Sequence, residues 1–173
     1  MNRDDVLVRR IRAGDSTALD ELITQYYPRI LSFCYWHVVN RNDAEDATQD
    51  TFLKLVLHLD SYEQRGKFSS FLYKIATNVC VDYYRRNRSE SANYGVIHES
   101  PNIEEIELKD SFTWRLRNLS EEQKEVVILR FAGELKIREI AEVMDIPVRT
   151  AQSRLRIALK HLKLDYLNDD RSK

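Results

Sequence analysis

Apolar residues recur every three or four positions in two long blocks, and this pattern limits what the chain can fold into. From Val6 to about Arg88, and again from Phe112 to Tyr166, the spacing is helical, and no stretch alternates as a strand would. Only 4 glycines and 3 prolines punctuate 173 residues, which suits helices joined by short turns. Between the blocks, Ser89 to Ser111 carries Gly95, Pro101 and the acids Glu90, Glu99, Glu104, Glu105, Glu107 and Asp110 against Lys109. That composition predicts an acidic linker, with a short helix near Ile103 to Leu108. The expectation is an all-α chain: two small helical domains, residues 1–90 and 112–170, joined by a flexible acidic linker over 91–111.

Capping signals divide the blocks further. A first helix is expected from Asp4 to Ala13, stopping at Gly14. A second starts near Ser16, with Leu19, Leu22, Ile23, Tyr26, Ile30, Cys34 and His37 on one face and Pro28 as a kink or a boundary. Asn42 with Glu45 reads as a capping box for a third helix, and a turn-rich loop, Asp60 to Lys67, precedes a fourth from Phe68 to about Arg88. In the second block Ser120 with Gln123 makes another capping box. Helices follow at Ile137 to Met144 and from Val148 to about Leu164, separated by Asp145-Ile146-Pro147.

Several chemistries are unsupported. Cys34 and Cys80 sit in apolar helical patterns without metal-ligand spacing, so they read as reduced core thiols. His37, His58, His98 and His161 have no nucleophile or carboxylate constellation, and no glycine-rich phosphate loop exists, so neither an enzyme nor a bound cofactor or metal is expected. The start of the chain lacks a signal-type apolar stretch, and no run approaches the roughly 18 residues a membrane span needs, so a cytoplasmic protein without membrane insertion is expected.

The net charge of −1 hides a segregated distribution that produces three candidate faces. On the helix Asp43 to Leu59, Ala44, Ala47, Thr48, Thr51, Phe52, Leu55 and Leu59 form an apolar side, while the opposite side sets Asp46, Gln49 and Asp50 around Leu53 and Leu57. Those two leucines await either another helix of the same domain or a partner helix. Asp43, Asp46 and Asp50 share a face as metal ligands would, but no histidine joins them at helical spacing. On the helix Phe68 to Arg88, Phe68, Phe71, Leu72, Ile75, Ala76 and Val79 form the core stripe, opposite Ser70, Lys74, Thr77, Asn78, Tyr84, Arg85 and Arg88. Cations mixed with aromatics suit single-stranded nucleic acid, and equally a solvated helix end whose cations complement the dipole.

The third face belongs to a helix-turn-helix pattern. Ile137, Ile140, Ala141 and Met144 are followed by a short turn and a helix with Val148, Ala151, Leu155, Leu159 and Leu162 inward. Outward lie Arg149, Thr150, Ser153, Arg154, Arg156, Lys160, His161 and Lys163, with Gln152 at the edge of the buried side and no carboxylate between Val148 and Leu164. A helix entering the major groove needs such a face.

In this order the strings D-A-E-D-A-T-Q-D-T-F (Asp43 to Phe52), F-S-S-F-L-Y-K-I-A-T-N-V-C-V-D-Y-Y-R-R (Phe68 to Arg86) and L-S-E-E-Q-K-E-V-V-I-L-R-F (Leu119 to Phe131), followed by the helix-turn-helix, resemble the extracytoplasmic-function (ECF) sigma factors over nearly the whole chain. The resemblance implies an alternative RNA polymerase sigma factor that binds core polymerase and directs transcription initiation. Asp46, Gln49, Asp50, Leu53 and Leu57 would dock on the β′ clamp helices, with the β flap as a further polymerase contact. The loop Ser61 to Lys67, with Lys67, Lys74, Asn78, Tyr84, Arg85 and Arg88, would take the −10 element and a base flipped from the non-template strand. Arg149, Thr150, Gln152, Ser153, Arg154, Arg156 and Lys160 would meet the −35 element. An anti-sigma factor, commonly membrane-anchored, is implied as inhibitor. The sequence departs from the family at Phe71, where Trp is usual, and at Ile157, where Arg is frequent. A stand-alone helix-turn-helix regulator is the alternative, and it would have no need of the first two faces.

Overall fold

A computed structural model of the protein describes residues 3–38, 40–63, 66–91, 116 and 118–169, with the side chains of the two long C-terminal helices described as far as residues 86 and 163. Nearly all of the expected acidic linker, including its short helix near Ile103 to Leu108, lies outside the described residues, as does the Arg88 side chain. The chain divides into two compact units, Met1–Val96 and Ile97–Lys173. Among the described residues the secondary structure is helical throughout, with no strand.

The first unit packs α1 (Arg3–Arg12), α2 (Ser16–His37), α3 (Arg41–His58) and α4 (Phe68–Ser91), with a 3-10 turn at Leu59–Ser61. Gly14 ends α1 by taking the left-handed conformation, φ +89, open to a residue without Cβ. Asp15 then caps α2, its Oδ1 accepting from the backbone N–H of Thr17 at 3.0 Å and of Ala18 at 3.4 Å. The α2 helix runs unbroken through Pro28. The ring deprives the Thr24 carbonyl of its N–H partner, and both residues are exposed, so water can serve that carbonyl. Proline is here neither a boundary nor a stop.

The cap of α3 is Asn40, not Asn42. Asn40 Oδ1 accepts from the Asp43 N–H at 2.8 Å, and its Nδ2 donates to the Asp43 carboxylate at 3.0 Å. The sequence offers the same three-residue spacing twice, Asn40 to Asp43 and Asn42 to Glu45, and the earlier pair wins, which leaves Glu45 to pair with Arg41 at 3.0 Å. The face of α3 expected to be apolar is buried, and its two threonines fit there because each hydroxyl donates to a carbonyl one turn back, Thr48 to Ala44 and Thr51 to Ala47, both at 2.7 Å. The buried arc of α4 is wider than expected. Ser70, expected outside, is buried together with Tyr73, because α4 packs against both α2 and α3. Phe71 sits half-buried at the rim against the Tyr62 ring, 5.2 Å between centroids, so this position is an edge of the core, not its centre.

The second unit holds α5 (Glu121–Phe131), α6 (Ile137–Val143) and α7 (Val148–Asp169). The Ser120 capping box forms as expected: Ser120 Oγ accepts from the Gln123 N–H at 3.3 Å, and Gln123 Oε1 from the Ser120 N–H at 3.1 Å. After α6 the chain turns at Asp145, whose φ is +52. Ile146 N–H reaches back to Ala141 O at 2.9 Å and Asp145 N–H to Glu142 O at 3.4 Å, a helix stop of the Schellman type that frees the chain to restart at Pro147. Ala151 and Ala158 face the core, fully buried, whereas Val148 and Leu159, expected inward, are exposed.

Candidate polymerase and DNA surfaces

The outer face of α3 is open within its own unit. Leu53 is 60% and Leu57 70% exposed, and Val56, which the sequence reading missed, is 45% exposed. Leu53, Val56 and Leu57 are three and four residues apart, so they form a single apolar stripe that spacing alone could have found. Among the described residues no helix of this unit covers it, which settles one of the two alternatives left by the sequence. Asp46 and Gln49 are exposed and Asp50 half-buried beside it. Asp50 accepts from the Tyr83 hydroxyl at 3.0 Å, and burial followed by that bond pushes the phenol up to about 12. Asp43 is engaged by Asn40, so two of the three aspartates of the metal reading, Asp43 and Asp50, already serve protein partners.

The cationic face of α4 adjoins this stripe. Lys74, Asn78, Val81 and Arg85 recur at steps of four, three and four, and all are exposed, with Tyr84 exposed on their flank and Lys67 exposed just before the helix. The Arg86 guanidinium lies over the Tyr83 ring, 4.3 Å from its centroid, while Asp82 meets Lys54 of α3 at 3.3 Å. Tyr83 therefore joins the carboxylate of one face to the helix end of the other.

On α7 the expected DNA-facing residues divide. Arg149, Gln152, Arg156 and Lys160 are exposed and recur at three and four residues, forming one ridge. Gln152, placed by the sequence at the edge of the buried side, stands on this ridge. It also borders an apolar groove of about 480 Å³ with Leu155, Arg156 and Leu159 of α7 and Arg130, Lys136 and Ile137. Thr150, Ser153 and Arg154 are half-buried. Although α7 carries no acid over this stretch, the fold brings one near. The Glu122 carboxyl is held low by its own backbone N–H, by Ser120 and by the charge of Arg154. Ile157 is exposed on the same helix.

Comparison with known proteins matches the two units separately. The family model for sigma-70 region 2 matches residues 22–90, and that for sigma-70 region 4 matches residues 114–162. The chain is 31% identical to the ECF RNA polymerase sigma-E factor of Escherichia coli K12, covering 88% of each chain. It is 27% identical to the ECF RNA polymerase sigma factor SigW of Bacillus subtilis, covering 86% of this chain and 88% of that one. Among solved structures it resembles the sigma factor RpoE of Bartonella quintana, crystallised with the anti-sigma factor NepR, at 26% identity and a TM-score of 0.65 over 83% of this chain and 93% of that one. CnrH, solved with the cytosolic domain of CnrY, shares the fold at 20% identity and a TM-score of 0.77 over 97% of this chain and 99% of that one. Two helical units of these types, in this order, define a sigma-70-type transcription initiation factor. More narrowly, the chain belongs to the ECF subfamily of bacterial RNA polymerase sigma factors. Among the described residues no helix is long and apolar enough to cross a membrane.

Proposed function

We propose that this sigma factor engages core polymerase through the outer face of α3, with Asp46, Gln49, Asp50, Leu53 and Leu57 on the clamp helices of the β′ subunit. The observation that carries this is the stripe Leu53, Val56, Leu57, exposed in its own unit and flanked by acids. An apolar stripe of this kind fits a partner helix, and the flanking carboxylates favour a basic one. Lys67, Lys74, Asn78, Tyr84, Arg85 and Arg88 then take the −10 element, cations on phosphates and rings on unstacked bases, with the loop Ser61 to Lys67 receiving the extruded base. Arg149, Thr150, Gln152, Ser153, Arg154, Arg156 and Lys160 meet the −35 element in the major groove. The β flap completes the contact with polymerase. An anti-sigma factor, membrane-anchored in this reading, occupies the same surfaces in the uninduced cytoplasm. The crystallised RpoE–NepR pair supports an anti-sigma partner.

The test is co-purification with bacterial core polymerase. Leu53→Glu buries a charge in the docked stripe and is expected to abolish the association while the helical circular dichroism stays intact. Arg149→Ala is expected to leave the association unchanged and to weaken promoter binding by about 1–3 kcal/mol if it reads a base. Retained core binding by Leu53→Glu overturns the assignment. Tight duplex binding by the free protein would point instead to a stand-alone regulator.

A further inference from the structure

The helix α1 lies outside the segment matched by the region 2 family, which begins at residue 22, and nothing in the proposed function uses it. Two of its side chains nevertheless grip the segment between α3 and α4 at both ends. The Arg12 Nη2 lies 2.6 Å from the Leu59 carbonyl, 3.2 Å from that of Asp60 and 2.7 Å from that of Tyr62. Asp5, buried, accepts from the Tyr62 hydroxyl at 2.7 Å and from the Gly66 N–H at 3.0 Å. The Tyr62 oxygen accepts in turn from the Lys67 N–H at 3.1 Å. Asp5 and Arg12 are two helical turns apart on one face of α1, so one rigid rod spaces the two grips by about 10 Å.

The segment is held from its other side as well. The Tyr62 ring packs on Phe68, 5.5 Å between centroids, and on Phe71 at 5.2 Å. Gly66 takes φ +68, a left-handed conformation unfavourable for most other residues. A neighbouring pair anchors α1 itself: Asp4 accepts from the Tyr26 hydroxyl at 2.8 Å and from Gln25 at 3.1 Å, and the Tyr26 oxygen lies 3.1 Å from the Ser69 hydroxyl at the start of α4. Bonds to a carboxylate or a guanidinium are the stronger kind, and burial removes competing water.

We propose that Asp5 and Arg12 are positioning residues for promoter selectivity: they hold Leu59 to Tyr62, Gly66 and Lys67 in the arrangement that receives the extruded base. This rests on the reading that the segment receives that base. A pocket held in shape before DNA arrives loses no conformational freedom on binding, and a rigid wall rejects a wrongly shaped base that a loose one would accommodate. Neither side chain needs to touch DNA.

The experiment uses the full chain with core polymerase on duplex templates randomised across the −10 element, sequencing the transcripts to obtain the base preference at each position. Asp5→Asn, Arg12→Gln and Tyr62→Phe are compared with wild type, together with Arg12→Lys, a mild change that keeps a donor if the others do not fold. Hydrogen exchange of the Gly66 and Lys67 amides is measured on the free proteins. The expected result is faster exchange at those amides and a preference flattened about ten-fold at the captured position, the scale of one charged hydrogen bond. The other −10 positions, the −35 preference and core co-purification should be unchanged, with Arg12→Lys intermediate. An unaltered base preference in the folded variants overturns the proposal. So does a uniform fall on all templates that tracks the melting temperature, because that is the signature of a merely structural role. If wild type itself shows no preference at any −10 position, the base-capture reading fails and the proposal with it, an outcome distinct from the other two.

Discussion

The two units hold themselves together by different means. In the first, buried polar groups tie distant parts of the chain: Asp4 to Tyr26, Asp5 to Tyr62 and Gly66, with Thr48, Thr51 and Ser70 also buried. Every polar residue that is buried as a whole among the described residues lies in this unit. In the second, the core is aliphatic, with Leu116, Leu119, Val127 and Ala158 as one cluster, and polar bonds such as Ser120 with Gln123 or Lys136 with Glu139 close local turns. Apolar burial is non-directional and suffices to set one helix against another. Hydrogen bonds fix angles and distances, so they appear where an irregular segment between helices needs a defined shape. The unit that must shape a loop uses them across long sequence separations; the unit that presents a straight helix does not.

The largest expected effect tests whether the units are separate. Phe33 is fully buried, edge-on to Tyr73 at 5.2 Å, and Phe33→Ala should cost the first unit about 3–5 kcal/mol. Urea denaturation followed by amide exchange should show α1 to α4 opening early while α5 to α7 keep their protection; simultaneous loss would break the division. A smaller effect sharpens the contrast in bonding. Tyr26→Phe removes a buried donor to Asp4 and should cost about 1–3 kcal/mol. Ser120→Ala, which removes only the α5 cap, should cost about 1 kcal/mol. Equal losses in the two denaturation curves would undo the claim that long-range polar bonds matter more in the first unit.

The smallest effect is one the units share. The Asp15 carboxyl is held down at about 2 by the Thr17 hydroxyl and the Arg10 guanidinium, against an ordinary 3.8. Its folded value lies below its unfolded one, so the cap contributes fully above the unfolded value and fades as pH falls towards about 2. Asp15→Asn should therefore lower the melting temperature of the first unit at neutral pH, with the gap to wild type closing in acid. Glu122, also held low, gives the second unit an acid dependence of the same sign. A gap that widens in acid would reverse the assignment of the charged form as the stabilising one.

Much of the architecture was legible in the residue order. Helical spacing located the helices from α1 to α7, because periodicity in apolar residues survives without knowledge of neighbours. The capping box at Ser120 and the turn Asp145-Ile146-Pro147 were legible for the same reason, since both are closed by groups within a few residues. Local ambiguity explains the errors there. Two asparagines offered equivalent caps for α3, and Pro28 could be read as a break because the sequence does not say that its carbonyl partner faces solvent.

What tertiary structure alone decided is which faces stay open and which charges meet. Leu53 and Leu57 had the same spacing whether covered or exposed, and only the packing of α2 and α4 on the other side of α3 left them bare. Ser70 went inward and Leu159 outward because burial depends on how many neighbours a helix has, which a single stripe cannot tell. Glu122 approached the acid-free stretch of α7 from about thirty positions away, and Asp5 and Arg12 reached Tyr62 across some fifty. Such contacts follow from chain reversal in three dimensions, and no periodicity along one dimension encodes them.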